Sequence, residues 1–350
     1  MANNMPKRKI LPFFIPMEGC PYRCIFCDQQ AISGKKASPL LQQIEAQIAA
    51  LPANFGGEIA FYGGSFSMLP QDRQQQYLNT AAAALACGKL SSIRISTRPD
   101  GVDSDELDFL VANGVVTVEL GIQSFDDQVL RQSNRGYTAE QAAAACQRIK
   151  ESGLRLGVQL MTGLPGDNHE KSMASIWQSR RLSADMVRIY PTVVLQNTPL
   201  ALMYRRGEYK PQGLNEAVLL CRDMASVCID ADIALIRLGL NPSTSTAAAV
   251  IDGPYHPAFG HMVYSALKLQ QMKMALARSG KDDFLYYHPN DSALVSGQNG
   301  VNRSLLQQKY PRLCLLSDKN LPSRAVAVAG IIYDYRQFIT DYLAEACPCI

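Results

Sequence analysis

No apolar run in this chain of 350 residues approaches the ~20 needed to cross a bilayer, so no membrane association is expected. The stretch from Met1 to Lys9 is basic. It is followed by an apolar strand and a cysteine loop, not by an apolar secretory core with a small-residue cleavage site. Charge of one sign is scarce too. Lys and Arg number 34 against 31 Asp and Glu, a net charge of +3, which permits a polyanionic partner without arguing for one. With 47% hydrophobic and 19% charged residues, the composition is that of an ordinary globular protein, and the length suits one domain of barrel size plus a smaller one. Ten cysteines without an export signal lead us to expect a reducing, cytoplasmic setting, where closely spaced cysteines read as metal ligands and not as a disulfide frame.

Three of the ten, Cys20, Cys24 and Cys27, form a C-x3-C-x2-C run in the loop after the first apolar strand. Three thiolates this close in sequence can hold three irons of a cubane cluster and leave the fourth iron open to a chelating cofactor. Phe26 inside the run and Ile15-Pro16 before it would shield such a cluster from water. Cys87, Cys146, Cys221 and Cys228 lie in helix-like apolar patterns and read as core residues. Cys314 with Cys347 and Cys349 is a candidate second metal site that lacks an evident fourth ligand.

From Ile10 to Leu238, short β-branched or apolar runs alternate with longer amphipathic stretches. Strands are expected at Ile10–Pro16, Glu58–Tyr62, Ser92–Thr97, Val115–Leu120, Leu154–Met161, Met186–Tyr190 and Ile233–Leu238. Helices are expected at Asp72–Ala86, Ser104–Ala112, Ala139–Glu151, His169–Arg181 and Asn215–Ile229. This alternation predicts an α/β fold, a partial or near-complete (β/α) TIM-type barrel with its active site at the C-terminal strand ends. The suggestive motifs fall at such ends: the cysteine loop, Tyr62-Gly63-Gly64-Ser65-Phe66, Ser96-Thr97-Arg98-Pro99-Asp100, Glu119 to Ser124, and Gly163-Leu164-Pro165-Gly166-Asp167. Glu119, Arg188 and Tyr190 face either the lumen or the helices, strand parity alone leaving both open.

The pattern changes after Gly260. Strands at Phe284–His288, Leu313–Leu316 and Ala325–Ala329 mix with helices at Asp291–Val295, Val301–Tyr310 and Tyr333–Ala346. A Gly297-Gln298-Asn299-Gly300 turn separates the first two helices. The order resembles a KH module, a small α+β fold whose two glycines admit a nucleic-acid backbone closely, with Gln298, Asn299 and Arg303 as candidate RNA contacts; the other reading is a KH-like fold that has lost RNA binding or packs on the barrel as a structural cap. The expected division is therefore 1–262 for the barrel, 263–281 for a helical connector and 282–350 for the KH-like module.

Taken together, the cysteine run and the four later motifs resemble the radical S-adenosylmethionine (SAM) superfamily, in the branch of the Elongator catalytic subunit and the oxygen-independent coproporphyrinogen oxidases. Arg188-Ile189-Tyr190-Pro191 and the Gly-Pro-Tyr-His-Pro-Ala-Phe segment at 253–259 are similar to the Elongator type. The resemblance implies a [4Fe-4S] cluster on Cys20, Cys24 and Cys27. It also implies SAM held by Gly63, Gly64 and Ser65, by Gln123 and Arg135 at ribose and carboxylate, by Gln159 in place of a ribose-binding aspartate, and by the turn around Leu164 under the adenine. Ser96 stands where coproporphyrinogen oxidases have a glutamate near SAM. His256 lies in a loop near the barrel mouth, with closure or a turn as its two readings.

The chemistry this implies is reductive cleavage of SAM by an electron from a flavodoxin- or ferredoxin-type donor, giving a 5′-deoxyadenosyl radical that abstracts hydrogen from a substrate. RNA, as in transfer-RNA modification, is the expected substrate. The alternatives are a small molecule such as a tetrapyrrole, or a non-catalytic iron–sulfur protein that binds RNA or transfers electrons. Elongator-type relatives carry an acetyltransferase domain that this sequence lacks, so no acetyl-CoA use is expected.

Overall fold

The structure, a computed structural model, describes residues 9–35, 37–281 and 283–346. In chain order the elements are β1 (Ile10–Phe14), α1 (Gln29–Ser33), α2 (Leu41–Ala49), β2 (Gly57–Tyr62), α3 (Gln71–Ala86), β3 (Leu90–Thr97), α4 (Ser104–Ala112), β4 (Val115–Gln123), α5 (Asp127–Gln132) and α6 (Ala139–Glu151). Then come β5 (Arg155–Thr162), α7 (His169–Arg181), β6 (Met186–Pro191), β7 (Val194–Leu195), α8 (Pro199–Arg205), α9 (Leu214–Asp230), β8 (Ala234–Leu238), α10 (Thr244–Ala249) and β9 (Val250–Asp252). The chain closes with α11 (Phe259–Ser279), β10 (Phe284–Tyr287), α12 (Ser292–Ser296), α13 (Val301–Lys309), β11 (Cys314–Ser317), β12 (Val326–Val328), β13 (Ile331–Tyr333) and α14 (Tyr335–Ala346).

By contact, the chain divides into two compact units. One comprises residues 9–213 and 233–255, the other 214–232 and 256–346. The first is built on a seven-stranded, all-parallel sheet in the order β1-β2-β3-β4-β5-β6-β8, curled into a half-barrel with β1 and β8 as its edges. Alternate residues face its two sides. Ile59 and Phe61, Ile93 and Ile95, Val118 and Leu120, Leu156, Val158 and Leu160, and Val187 and Ile189 are all buried, as strands covered by helices require. The intervening positions carry Glu58, Arg94, Glu119, Gln159 and Arg188, an unusually polar set for a barrel interior.

Local chemistry starts the helices where the sequence places them. Thr138 and Gln141 form a reciprocal capping box on α6, and the Asp103, Asp126 and Asn168 side chains accept the N3 amides of α4, α5 and α7. The strand and helix expectations agree with these elements to within about three residues at each end.

In the second unit, α9 packs on α11 and α14. The sequence boundaries at 262 and 281 follow a change of pattern; contacts group α9 and the whole of α11 with the C-terminal sheet. The reason lies in α9, which buries ten of its residues, Ala217 to Ile229, and so has apolar surface on more than one face. The small sheet runs β11-β10-β12-β13, with β10 and β11 parallel and the rest antiparallel. Leu285, Tyr287, Val326 and Val328 of this sheet pack with Met272 and Leu276 of α11 and with Leu306 of α13. Strand β13 was not expected. It follows a two-residue turn, Ala329-Gly330, with both φ positive (52° and 78°), and Ala-Gly lacks the Asn or Asp that usually signals such a turn.

Cys146, Cys221 and Cys228 are buried as expected; Cys87, just past the end of α3, is exposed instead. Cys314 is exposed, and Cys347 and Cys349 lie outside the described residues. No helix among the described residues is long and apolar enough to cross a membrane.

One carboxyl is placed against its interest. Glu106, in the first turn of α4, has an Oε1 without a hydrogen-bond partner, and burial, aided by nearby Asp103, pushes its pKa up to about 7. The folded state thus favours the protonated acid. That contribution to stability is complete below the unfolded value of 4.5 and is lost as pH rises through about 7. Glu106→Gln is expected to raise the melting temperature at pH 8 and to leave it nearly unchanged at pH 4.5, as calorimetry at the two pH values would read.

Candidate active site

The half-barrel encloses a cavity of about 1330 Å³. This exceeds the 300–1,000 Å³ typical of a single small-ligand pocket and leaves room for a cofactor and a substrate together. Cys20, Cys24 and Cys27 line it, as do Gly63, Gly64, Ser96, Gln123, Arg135 and Gln159. Ser65 and Leu164, expected beside a cofactor, do not. The Ser65 hydroxyl is buried against Thr97 Oγ1 (3.0 Å) and accepts the Arg98 amide (3.1 Å), so it ties the end of β2 to the end of β3. Leu164 is a core residue of the 163–167 turn, which Asp167 closes by accepting the Gly163 amide at 2.7 Å.

The cysteine loop is shaped by its floor. The backbone from Ile15 to Gly19 lies directly on the Gly63-Gly64-Ser65 turn. A Cβ on Gly64 (φ 40°) would meet the Glu18 carbonyl at 2.2 Å and the Ile15 carbonyl at 2.7 Å; one on Gly19 (φ 73°) would meet the Ser65 carbonyl at 2.2 Å. Only glycine permits this approach. Gln29, the first residue of α1, then stitches the two layers, its Oε1 accepting the amides of Met17 (2.5 Å) and Gly64 (2.7 Å). Ser65 N donates to the Glu18 carbonyl at 2.9 Å. Farther on, the Arg23 carbonyl accepts from Asn134 Nδ2 and the Ile25 carbonyl from the Leu200 amide, both at 2.9 Å. Ile25 and Phe26 pack on the apolar group Val194, Leu200, Ala201 and Tyr209.

The three thiols fit a metal cluster. Burial raises the pKa of Cys20, with Cys24 adding to it, and burial with both neighbouring thiols pushes Cys27 up to about 12. Thiols that oppose one another's ionisation in this way give up their protons when a metal supplies the missing positive charge. Among the described residues, no three His, Cys, Asp or Glu side chains gather as ligands of one metal ion. In a cubane each thiolate binds a different iron, so its donors need not gather on one point.

Two buried guanidinium groups complete the surroundings of Cys24. Arg135 Nη1 donates to Cys24 Sγ at 2.8 Å, its Nε to the Tyr137 hydroxyl at 2.8 Å, and its Nη2 to the Gly121 carbonyl. Burial would lower the Arg135 pKa, but Tyr137 and Cys24 outweigh it and hold the charge firmly in place. Arg98 Nη1 approaches the same sulfur at 3.9 Å. Sequence reasoning passed over Arg98 and Gln29 as site residues, although Arg98 lies inside a quoted motif.

Strand parity is settled in favour of the lumen for Glu119, Arg188 and Tyr190, all of which line the cavity. Glu119 accepts from Arg94 Nη1 (2.6 Å) and Arg188 Nε (2.5 Å), Arg94 also binds Glu58 through Nε (2.9 Å), and Arg188 Nη2 donates to the Tyr62 hydroxyl at 3.0 Å. Burial alone would raise the Glu119 pKa; Arg188 and Arg94 reverse this and keep it lowered and ionised. Gly157 on β5 leaves the space, since a Cβ there would meet Glu119 Cγ at 2.7 Å. The signal available in the sequence was polar residues at alternate positions on successive strands. His256 takes the turn role: its Nδ1 accepts the Ala258 amide at 3.0 Å. In the second unit, Gly297, Asn299 and Gly300 have φ of 75°, 53° and 76°, and Asn299 and Arg303 are exposed.

Comparison with known proteins agrees with this geometry. Residues 14–175 match the family model of the Radical SAM superfamily, and residues 184–269 match that of the Radical_SAM C-terminal domain. The chain is 27% identical over 306 residues to a tRNA uridine(34) acetyltransferase of Methanocaldococcus jannaschii, covering 75% of this chain and 56% of that protein. It thus spans about half the length of that relative. An uncharacterized protein of the same organism is 30% identical over 235 residues, 62% of this chain and 71% of its own length. Human Elongator complex protein 3 is 26% identical over 191 residues, 49% of this chain and 35% of that protein. In fold, the chain is similar to Elp3 of Methanocaldococcus infernus, with a TM-score of 0.59, 23% identity, and coverage of 77% of this chain and 63% of that one.

The glycine contact is open to test. Gly64→Ala adds ~1–3 kcal/mol of backbone strain to a clash with the Glu18 carbonyl. Iron retained after anaerobic reconstitution is expected to fall well below that of the wild type, while far-ultraviolet circular dichroism still reports a folded barrel.

Proposed function

This chain belongs to the radical SAM superfamily, and we propose that it cleaves S-adenosylmethionine reductively and abstracts hydrogen from an RNA substrate. The superfamily's cofactors, a [4Fe-4S] cluster and SAM, are its cofactors, and it is an enzyme. When bound, they supply the 5′-deoxyadenosyl radical; all else is the work of this chain's own residues.

The single observation that carries the reading is the convergence of three thiols on one large cavity at the C-terminal strand ends, over a floor where only glycine fits. Cys20, Cys24 and Cys27 would hold the cluster. Gly63 and Gly64 offer backbone groups beside it, and Arg135, whose nitrogens already bond Cys24, Tyr137 and Gly121, lines the same cavity and offers a fixed positive charge to a carboxylate. Gln123 and Gln159, whose side chains meet at 3.3 Å, present amides that suit the hydroxyls of a ribose. Ile25, Phe26 and the buried Ile15 would help keep water from a cluster held by the thiols. An external one-electron donor of the flavodoxin or ferredoxin type would reduce the cluster.

RNA as the substrate is supported by the tRNA-modifying names of the relatives and by the glycine turn of the second unit, where three positive φ angles within four residues expose backbone beside Arg303. The KH-like reading of that unit is part of the proposal.

The decisive assay incubates reconstituted protein anaerobically with dithionite and SAM, with and without total cellular RNA, and quantifies 5′-deoxyadenosine by chromatography. Turnover stimulated severalfold by RNA is the expected result. Turnover indifferent to RNA would move the substrate to a small molecule, and no turnover with an intact cluster would end the radical reading. Separately, Asn299→Asp combined with Arg303→Glu is expected to weaken RNA binding about tenfold at fixed salt while sparing RNA-independent cleavage. Unchanged RNA affinity would show that the turn does not contact RNA.

A further inference from the structure

Arg98 is held more rigidly than a buried arginine needs to be. Its Nε and Nη2 fork onto the Asp100 carboxylate at 2.9 and 3.0 Å, and Nη2 also donates to the Arg135 carbonyl. The guanidinium lies 5.1 Å from the centre of the Tyr22 ring and 5.2 Å from that of Tyr137. The side chain is only 3% exposed. The remaining nitrogen, Nη1, faces Cys24 Sγ at 3.9 Å. Nothing in this clamp depends on a substrate, and the residue leaves no freedom to swing toward one.

We propose that Arg98 is a positioning residue that fixes Cys24 and raises the reduction potential of the iron–sulfur cluster held by the three cysteines. The inference rests on the cluster reading above. Reduction adds one electron from the external donor, so the cluster's total charge falls by one. A fixed cation and an N–H···S contact beside a ligating sulfur stabilise the more negative state more than the less negative one. Burial keeps that field from being screened. Asp100 acts in the opposite sense, because its carboxylate offsets part of the Arg98 charge while holding the group in place. The pair thus works as a clamp whose two members push the potential in opposite directions.

The test is a mediated potentiometric titration of the full chain, reconstituted anaerobically and without SAM, followed by electron paramagnetic resonance, with iron and sulfide measured for each variant. Arg98→Met is expected to lower the reduction equilibrium constant about tenfold, ~59 mV for one electron. Arg98→Lys should recover part of that loss, and Asp100→Asn should shift the potential upward. Variants with full iron content and the wild-type potential would overturn the proposal. If Arg98→Met takes up no iron, Arg98→Lys decides alone: a potential below that of the wild type supports the role and the wild-type potential overturns it. A wild-type protein that assembles no four-iron cluster would instead sink the cluster reading, and the inference with it.

Discussion

The backbone between Ile15 and Gly19 lies so close to Gly63 and Gly64 that no side chain fits between the two layers. Everything distinctive about the site rests on that contact. It lets one amide oxygen, that of Gln29, bridge two separate strand-end loops, and it lets Glu18 and Ser65 share a backbone hydrogen bond. The cysteine run therefore starts from a surface defined to within the length of a hydrogen bond. A loop carrying three thiols would otherwise be free to spread; here its entry is fixed by β1 and β2 and its exit by the Asp28 cap of α1.

Beneath this layer the barrel interior is held by charge, not by packed apolar side chains. Glu58, Arg94, Glu119 and Arg188 form an alternating ladder across four strands, with the Tyr62 hydroxyl at its end. Each member neutralises its neighbours, which is the condition for burying ions at all; removing one partner from such a set costs about 3–5 kcal/mol because a buried charge is left unpaired. The ladder also borders the cavity, which Glu119 and Arg188 line. Its hydrogen bonds hold side chains from four strands of the curled sheet at set distances. Arg188 and Glu119 belong to both the ladder and the cavity wall, so the same interaction that supports the barrel gives the lumen a polar, hydrogen-bonding wall.

The second unit follows different rules. Its core is apolar, built on Leu285, Val326, Val328 and Leu306, with a few buried polar side chains beside it: Lys268 is paired with Asp291 at 3.2 Å and donates to the Arg324 carbonyl at 2.6 Å. Burial draws the Lys268 pKa down to about 8 even with Asp291 opposing it. That ion pair joins α11 to the start of α12, and Asn302 bonds Ser265 and Leu294 just beyond the glycine turn. The turn, with its three positive φ angles, thus lies between two helices that are each tied by hydrogen bonds to α11 or to one another.

The order of strands and helices was legible in the sequence because a parallel barrel repeats one unit whose periodicities, two for strands and 3.6 for helices, stand out locally. The three cysteines were legible for the same reason, since their spacing is a property of a single loop. Chain neighbours alone did not reveal β13, whose turn lacks the usual residues, or the grouping of α9 with α11 and α14, which depends on which apolar face finds a partner. Nor did they reveal the positions of Ser65, Arg98 and Gln29, each defined by atoms more than ten residues away. The sequence by itself determined the alternation that builds the barrel and the thiols that line it. Only the tertiary structure decided that Glu119 and Arg188 face inward and that Arg98 faces Cys24, because burial and close approach are properties of strands that meet in space.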